Sequence, residues 1–277
     1  MVVETANGEP LSCLVRGRRL KPLVGDHVTF GRLDDGTAVV EAIAERRSVL
    51  TRIDARGRPE GVAANLTQLV VVVAPEPSPD WMLVDRYLAA AELQELDSVI
   101  VWNKDDLAPA PPSSAVYRAI GYPLVAVSAA TAGGLEALAT LLGGQRSALV
   151  GQSGVGKSSL INRLLGEDAQ AVGRLSDRRA LGRHTTTAAE LFRLAGGGEL
   201  IDSPGVRQYA PFLADPEQLD RGYREFRQFL GQCRFDNCRH DAEPGCRIKQ
   251  AVADGEISAD RYQSYLRLRQ VLTDLAG

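Results

Sequence analysis

Aromatic residues make up only 5% of the 277-residue chain, so there is little material for stacking successive bases. That argues against base-by-base reading of a single strand. Cysteine is scarce too, with four residues, three of them crowded between Cys233 and Cys246 while Cys13 stands apart. Such a cluster suits a metal in a reducing compartment better than a disulfide framework. Long hydrophobic runs are missing. The longest apolar block, LVVVVAP at 69–75, is far too short to span a bilayer. The opening MVVETANGEP holds neither a basic leader nor an apolar core of signal-peptide length, and lipidation signals and amphipathic anchors are absent. Net charge is also small, −3. Attraction to nucleic acid or an anionic membrane would therefore need a local basic patch. These absences lead us to expect a soluble, cytoplasmic, monomeric protein without a membrane partner.

What is present is enough apolar residue, 44%, for one large domain or two to three smaller ones. Residues 1–62 read as a small all-β unit. Short β-branched runs are broken by Gly and Asp-Gly turn signals, and an OB-type barrel is the natural candidate, with an SH3-like barrel or a β-meander as alternatives. Over 63–212 short continuous apolar strands alternate with helical stretches, the pattern of a parallel sheet covered on both faces. AELFRLAGGGELIDSPG in that region reads as a hairpin. Over 213–277, DPEQLDRGYREFRQFL and SADRYQSYLRLRQVLTDLA read as helices flanking a Cys/His-rich loop.

GQSGVGKS, Gly151 to Ser158, fits the full G-x-x-x-x-G-K-[ST] pattern between a strand and a helix. Gly151, Gln152, Ser153, Gly154, Val155 and Gly156 would wrap backbone N–H groups around a phosphate, aided by the helix N-terminus, with Ser159 continuing into the helix. Lys157 would reach the β- and γ-phosphates, and the Ser158 hydroxyl would ligate Mg²⁺. Downstream, LIDSPG places Asp202 at a strand end, suited to hold Mg²⁺ through water, and Gly205 where its amide could sense the γ-phosphate. Between them GRHTTT offers a magnesium-binding threonine, Thr186 first, with Thr185 and Thr187 as rivals. The same threonines equally suit the start of the next strand. Val206 follows Gly205, where many GTPases carry a water-orienting glutamine, so intrinsic hydrolysis should be slow. His184 is the nearest substitute, or else a solvent-facing loop histidine.

The stretch SVIVWNKDDLAP precedes the phosphate loop, yet its Asn103, Lys104 and Asp106 form an Asn-Lys-x-Asp set suited to guanine. Asp106 can accept from N1–H and N2–H₂, Asn103 can brace base and loop, and the Lys104 stem can cover the ring. VSAA at 127–130 adds Ser128 and the Ala129 N–H on the O6 side. A parallel sheet tolerates a chain that starts elsewhere if strands keep their neighbours and crossovers. The order is thus a circular permutation of the usual GTPase arrangement, favouring GTP and GDP over adenine nucleotides.

Cys233, Cys238, His240 and Cys246 satisfy a tetrahedral Zn²⁺ with no ligand left over, which marks a structural site; a disulfide plus a free thiol is the alternative. Cys13 reads as a small buried barrel residue and His27 as a rim or surface residue. Basic clusters Arg16, Arg18, Arg19, Lys21 and Arg46, Arg47, Arg52, Arg56, Arg58 suit phosphate contacts, as do Arg234, Arg239 and Arg247 by the cysteines. Asp34, Asp35 and Glu45 nearby make a solvated charged face the competing reading.

NKDD, VSAA, GQSGVGKSS, GRHTTT and DSPG in that order, with the barrel and the cysteine cluster, resemble the ribosome small-subunit-dependent GTPases of the RsgA (YjeQ/EngC) family over nearly the entire chain. The resemblance implies an OB-fold, a circularly permuted P-loop GTPase domain and a C-terminal helical zinc-binding domain. It also implies GTP hydrolysis stimulated by the small ribosomal subunit, contact with its 16S-type rRNA, and a role in late subunit maturation. Family members often carry a basic N-terminal extension that touches rRNA. Almost nothing precedes the barrel here, so RNA affinity is expected to rest on the remaining domains. The competing class is an RNA-binding module in which nucleotide is mainly structural.

Overall fold

The computed structural model describes residues 1–16, 19–54, 56–172, 189–203, 206, 211, 213 and 215–276. Strands β1 (Val2–Glu4), β2 (Pro10–Val15), β3 (Val28–Arg32) and β4 (Ala38–Ile43) form a sheet in the order β1-β2-β4-β3. Next to them β5 (Val49–Ile53) and β6 (Pro59–Ala64) pair as an antiparallel ribbon. Val3, Cys13, Ala38 and Val40 make the small core of this all-β unit. Cys13 is therefore a packing residue, and His27 is exposed.

The central sheet comprises β7 (Gln68–Val73), β8 (Asp97–Trp102), β9 (Leu124–Ala126), β10 (Arg146–Val150), β11 (Glu190–Arg193) and β12 (Glu199–Asp202). Its order is β11-β12-β10-β7-β8-β9, all parallel except the β11–β12 hairpin. Every residue of β7 is buried. Successive strand side chains point to opposite faces. Leu69, Val71 and Val73 accordingly pack with Val84, Tyr87 and Leu88 of α1 (Trp81–Glu92). Val70 and Val72 pack the other way, against Leu138 and Leu142 of α3 (Leu135–Leu142) and Leu160 of α4 (Lys157–Val172). Each fully buried Val or Leu contributes roughly 1.5–3 kcal/mol. A short α2 (Ala115–Ile120) leads into β9.

The chain enters this sheet at its middle, runs outward through β8 and β9, and returns to β10 on the other side of β7. Numbered from the phosphate-loop strand β10, the order reads 2-3-1-4-5-6. That is the permutation in physical form.

Two elements of the C-terminal region differ from expectation. Residues 215–230 form two 3₁₀ turns, Leu219–Gly222 and Arg224–Phe229, rather than an α-helix. Tyr223 between them is extended (φ −103°, ψ 103°). A Cβ on Gly222 would lie 3.0–3.1 Å from Ala89 of α1, so the turn runs tight against that helix. Three residues per turn also align Tyr223, Phe226 and Phe229 on one line, all buried in the C-terminal core. Helices α5 (Arg247–Ala253) and α6 (Ala259–Ala276) complete that unit; α6 matches expectation, whereas α5 has no counterpart in the sequence reading. Among the described residues no helix is long and apolar enough to cross a membrane.

Candidate functional site

The C-terminal ends of the parallel strands, where ligands bind in open α/β sheets, collect the expected residues. β10 delivers Gly151, and the loop closes onto α4 at Lys157. Lys157 is buried, with Nζ donating to the carbonyls of Gly151 at 2.6 Å and Gln152 at 2.7 Å. Gly151 itself rests on Tyr87 of α1, its N–H donating to the phenol oxygen. Burial pushes that phenol up to about 12, which keeps it a neutral support. Ser153, Gly154, Ser158 and Ser159 are exposed around the loop, while Val155 is buried. Gln152 accepts at 3.2 Å from the N–H of Asp80, the N-cap of α1.

Asn103, at the end of β8, joins the Asn-Lys-x-Asp stretch to this loop. Its Nδ2 donates to Val155 O at 2.8 Å, and its Oδ1 accepts from Ala129 N at 3.2 Å. The loop passes so close that a Cβ on Gly156 (φ 92°) would lie 2.4 Å from Asn103 Nδ2. Asp106 accepts from Ser128 Oγ at 2.5 Å. Lys104 (φ 62°) stretches to donate to Glu76 O at 2.6 Å. Residues separated by about fifty positions in sequence are thus bonded into one rim.

Asp202 ends β12, beside β10, and is buried. Val206 is buried in the main core, its N–H held by Ser203 Oγ at 3.0 Å. An apolar side chain packed this way cannot orient water. Gly205, His184, Thr185, Thr186, Thr187 and Arg18 lie outside the described residues.

Cys233, Cys238, His240 and Cys246 converge, their ligand atoms all within 4.8 Å of one another. The Cys233 and Cys246 sulfurs are 3.9 Å apart, and His240 Nδ1 is 3.5 and 3.4 Å from them. A tetrahedral ion with bonds of about 2.3 Å to sulfur sets its thiolates about 3.8 Å apart, so the donors fit. Backbone N–H groups of Arg247 and Lys249 donate to Cys233 and Cys246. His240 Nε2 faces Asp220 Oδ2 at 3.4 Å, an outer carboxylate that orients the ring. Asp220 escaped the sequence reading because nothing local ties it to a histidine twenty residues on.

The basic clusters divide. Arg46, Arg52 and Arg58 are taken up by Asp26, Glu60 and Asp54. Arg239 and Arg247 pair with Glu217 and Glu256. Arg19, Lys21 and Arg47 are exposed and form no ion pair among the described residues, nor does Arg234, which lies over Phe235.

Comparison with known proteins follows the same lines. The model of a family described as RsgA GTPase matches residues 43–211. A small ribosomal subunit biogenesis GTPase RsgA from Chromohalobacter salexigens is 47% identical over 266 residues, covering 94% of this chain and 78% of its own length. One from Pseudomonas aeruginosa is 43% identical, covering 95% and 79%. The crystal structure of YjeQ from Thermotoga maritima superposes with a TM-score of 0.77 at 34% identity, covering 98% of this chain and 94% of that one. That of YloQ, a circularly permuted GTPase, gives 0.73 at 27% identity, with 99% and 90% covered.

Proposed function

This chain belongs to the RsgA GTPase family, and we propose that it hydrolyses GTP during late maturation of the small ribosomal subunit, which stimulates it and from which hydrolysis releases it. The observation that carries the reading is the Asn103–Val155 hydrogen bond, which ties a base-reading motif to a phosphate loop across the permuted order. In this reading residues 1–62, 63–212 and 213–277 are the barrel, the GTPase domain and the zinc domain. The protein acts as a monomer, away from membranes, in the cytoplasm.

Guanine lies over the rim made by Asn103, Lys104, Asp106, Ser128 and Ala129. The triphosphate enters the loop from Gly151 to Ser159, and the Lys157 ammonium exchanges its two carbonyl acceptors for phosphate oxygens. Ser158, Thr186 and, through water, Asp202 would hold Mg²⁺, which neutralises charge developing on the phosphates. Gly205 offers its amide to the γ-phosphate. His184 stands in for the water-orienting side chain that Val206 cannot provide, and the ribosomal subunit completes the arrangement. We assign Zn²⁺ to Cys233, Cys238, His240 and Cys246, a filled and therefore structural site. Arg19, Lys21, Arg47 and Arg234 are the cations best placed for phosphates of 16S-type rRNA.

The test is single-turnover GTP hydrolysis by the purified protein, alone and with small or large subunits. Slow hydrolysis alone and strong acceleration by small subunits only is expected. Equal rates in all three would remove the ribosomal link. They would favour the RNA-binding module with a structural nucleotide, the reading that the buried Val206 supports.

A further inference from the structure

We infer that Arg163 is a positioning residue for guanine recognition, acting through the loop that faces O6. The inference rests on the guanine site proposed above and adds a residue to it.

The loop after β9 closes on itself through Ser128 N–H to Gly133 O at 2.9 Å, but its Ala129–Ala130 tip has less to hold it. Ala129 and Ala130 have no polar side chains, and Ser128 Oγ is already engaged, donating to Asp106 and accepting from Thr131 N at 3.1 Å. The Ala129 N–H points to Asn103. What remains are two successive carbonyls at the rim. Arg163 answers both, Nε donating to Ala129 O at 2.9 Å and Nη2 to Ala130 O at 3.2 Å. It reaches them from α4, the helix that begins with the phosphate-binding lysine. Arg163 is exposed and makes no ion pair among the described residues, so these carbonyls are its partners.

A planar guanidinium presents its donors in a fixed fork, and charged donors bind more strongly than neutral ones. Two forked bonds to consecutive carbonyls set the two peptide planes that carry the Ala130 and Thr131 N–H groups, and so fix the course of the chain directly after the Ala129 N–H. Guanine offers an acceptor at O6 where adenine carries an amino donor at N6. Asp106, by contrast, faces the N1 and N2 side. Arg163 therefore bears first on the O6 edge of the base, and reaches Asp106 on the other edge only at second hand, through Thr131 N–H and the Ser128 hydroxyl.

Equilibrium binding separates these edges. GDP, inosine diphosphate (no 2-amino group), 6-thio-GDP (a weaker acceptor at position 6) and ADP are titrated against wild type, Arg163→Ala and Arg163→Lys. In Arg163→Ala, GDP should bind about tenfold more weakly. Its preference over 6-thio-GDP should shrink towards unity, while its preference over inosine diphosphate should fall much less. Arg163→Lys, which keeps the charge and loses the fork, should fall between. Unchanged preferences in both comparisons, or an equal fall in both, would overturn the inference alone. A wild-type protein that binds ADP as tightly as GDP would sink the guanine reading and the inference together.

Discussion

Asn103 uses both ends of its amide, and in the proposed function that double use would fasten base recognition to phosphate recognition. It is 1% exposed, so neither Val155 O nor the Asn103 side chain has water as an alternative partner. Asn103→Ala removes two hydrogen bonds and leaves a buried carbonyl unanswered. The expected loss is about 2–3 kcal/mol in GDP binding, roughly a hundredfold in Kd, measured by isothermal titration. Asn103→Asp keeps the acceptor towards Ala129 and turns the donor towards Val155 into an acceptor, so it should bind no better. Gly156→Ala should reproduce the defect from the other side, because its methyl would occupy the space of the Asn103 amide nitrogen. Retained affinity in all three would mean that base and phosphates are held independently.

Elements were legible where hydrophobic period and length agree. The uninterrupted apolar β7 and the glycine-bounded β10 could only be buried parallel strands. The 215–230 segment was misread because Tyr223, Phe226 and Phe229, spaced by three, satisfy an α-helical face and a 3₁₀ face alike. What separated them was the approach to Ala89, a tertiary contact with no local trace. Helix α5 was hidden for the opposite reason. It has seven residues, and its N-cap is Cys246, whose sulfur accepts from Lys249 N and whose chemistry already had an explanation as a ligand. The site was legible as motifs, whereas Asp220 and Arg163 were not, because each acts on a partner set by folding. At this scale the cysteine cluster makes a firm prediction. His240 is held from behind by Tyr262, whose hydroxyl donates to His240 O at 2.6 Å, and the cluster adjoins the Phe226–Tyr265 packing. If the cluster holds the zinc proposed for it, stripping that ion with a chromophoric chelator should lower Tm by more than about 10 °C and open residues 215–276 to protease. GDP affinity should hold at temperatures below the new transition, since the rim proposed for the nucleotide draws on other strands. A full complement of released zinc with an unmoved Tm would show the metal to be dispensable.

In the whole molecule α1 is the shared strut. Its N-cap Asp80 meets Gln152 of the phosphate loop, and Arg86 donates to Pro211 O at 2.7 Å, a residue that also bridges to Arg52 of the β-unit. Its far side carries two buried carboxylates, seven residues apart and so on one face. Glu92 takes Arg224 and Arg227, and Asp85 takes Arg261 and the Tyr117 hydroxyl. Arg261, 2% exposed, also binds Glu225 through two nitrogens and lies over the Tyr223 ring. One guanidinium thus serves two carboxylates, which leaves the group short of positive charge. Burial accordingly raises the Asp85 pKa despite the opposing pull of Arg261 and Tyr117. An acid whose pKa is higher folded than unfolded makes the folded state take up protons. Its penalty is full well above the folded pKa and eases as pH falls through it. Arg261→Met removes the only cation on Asp85 among the described residues while keeping much of the packing volume. It should cost about 3–5 kcal/mol at pH 7.5 by urea unfolding, and Asp85, pushed higher still, should make the deficit smaller at pH 5.5. Adding Asp85→Asn to Arg261→Met should recover part of the loss at pH 7.5 and flatten the pH trend. A deficit that is constant or larger at pH 5.5 would mean that Asp85 is not the charge left stranded. The C-terminal unit keeps its own core of Leu219, Phe226, Ile248 and Tyr265 in the variant, but of its two charged contacts with α1 only that at Glu92 remains. Unfolding should therefore begin there and spread to the sheet at higher urea, splitting a transition that the intact strut keeps single.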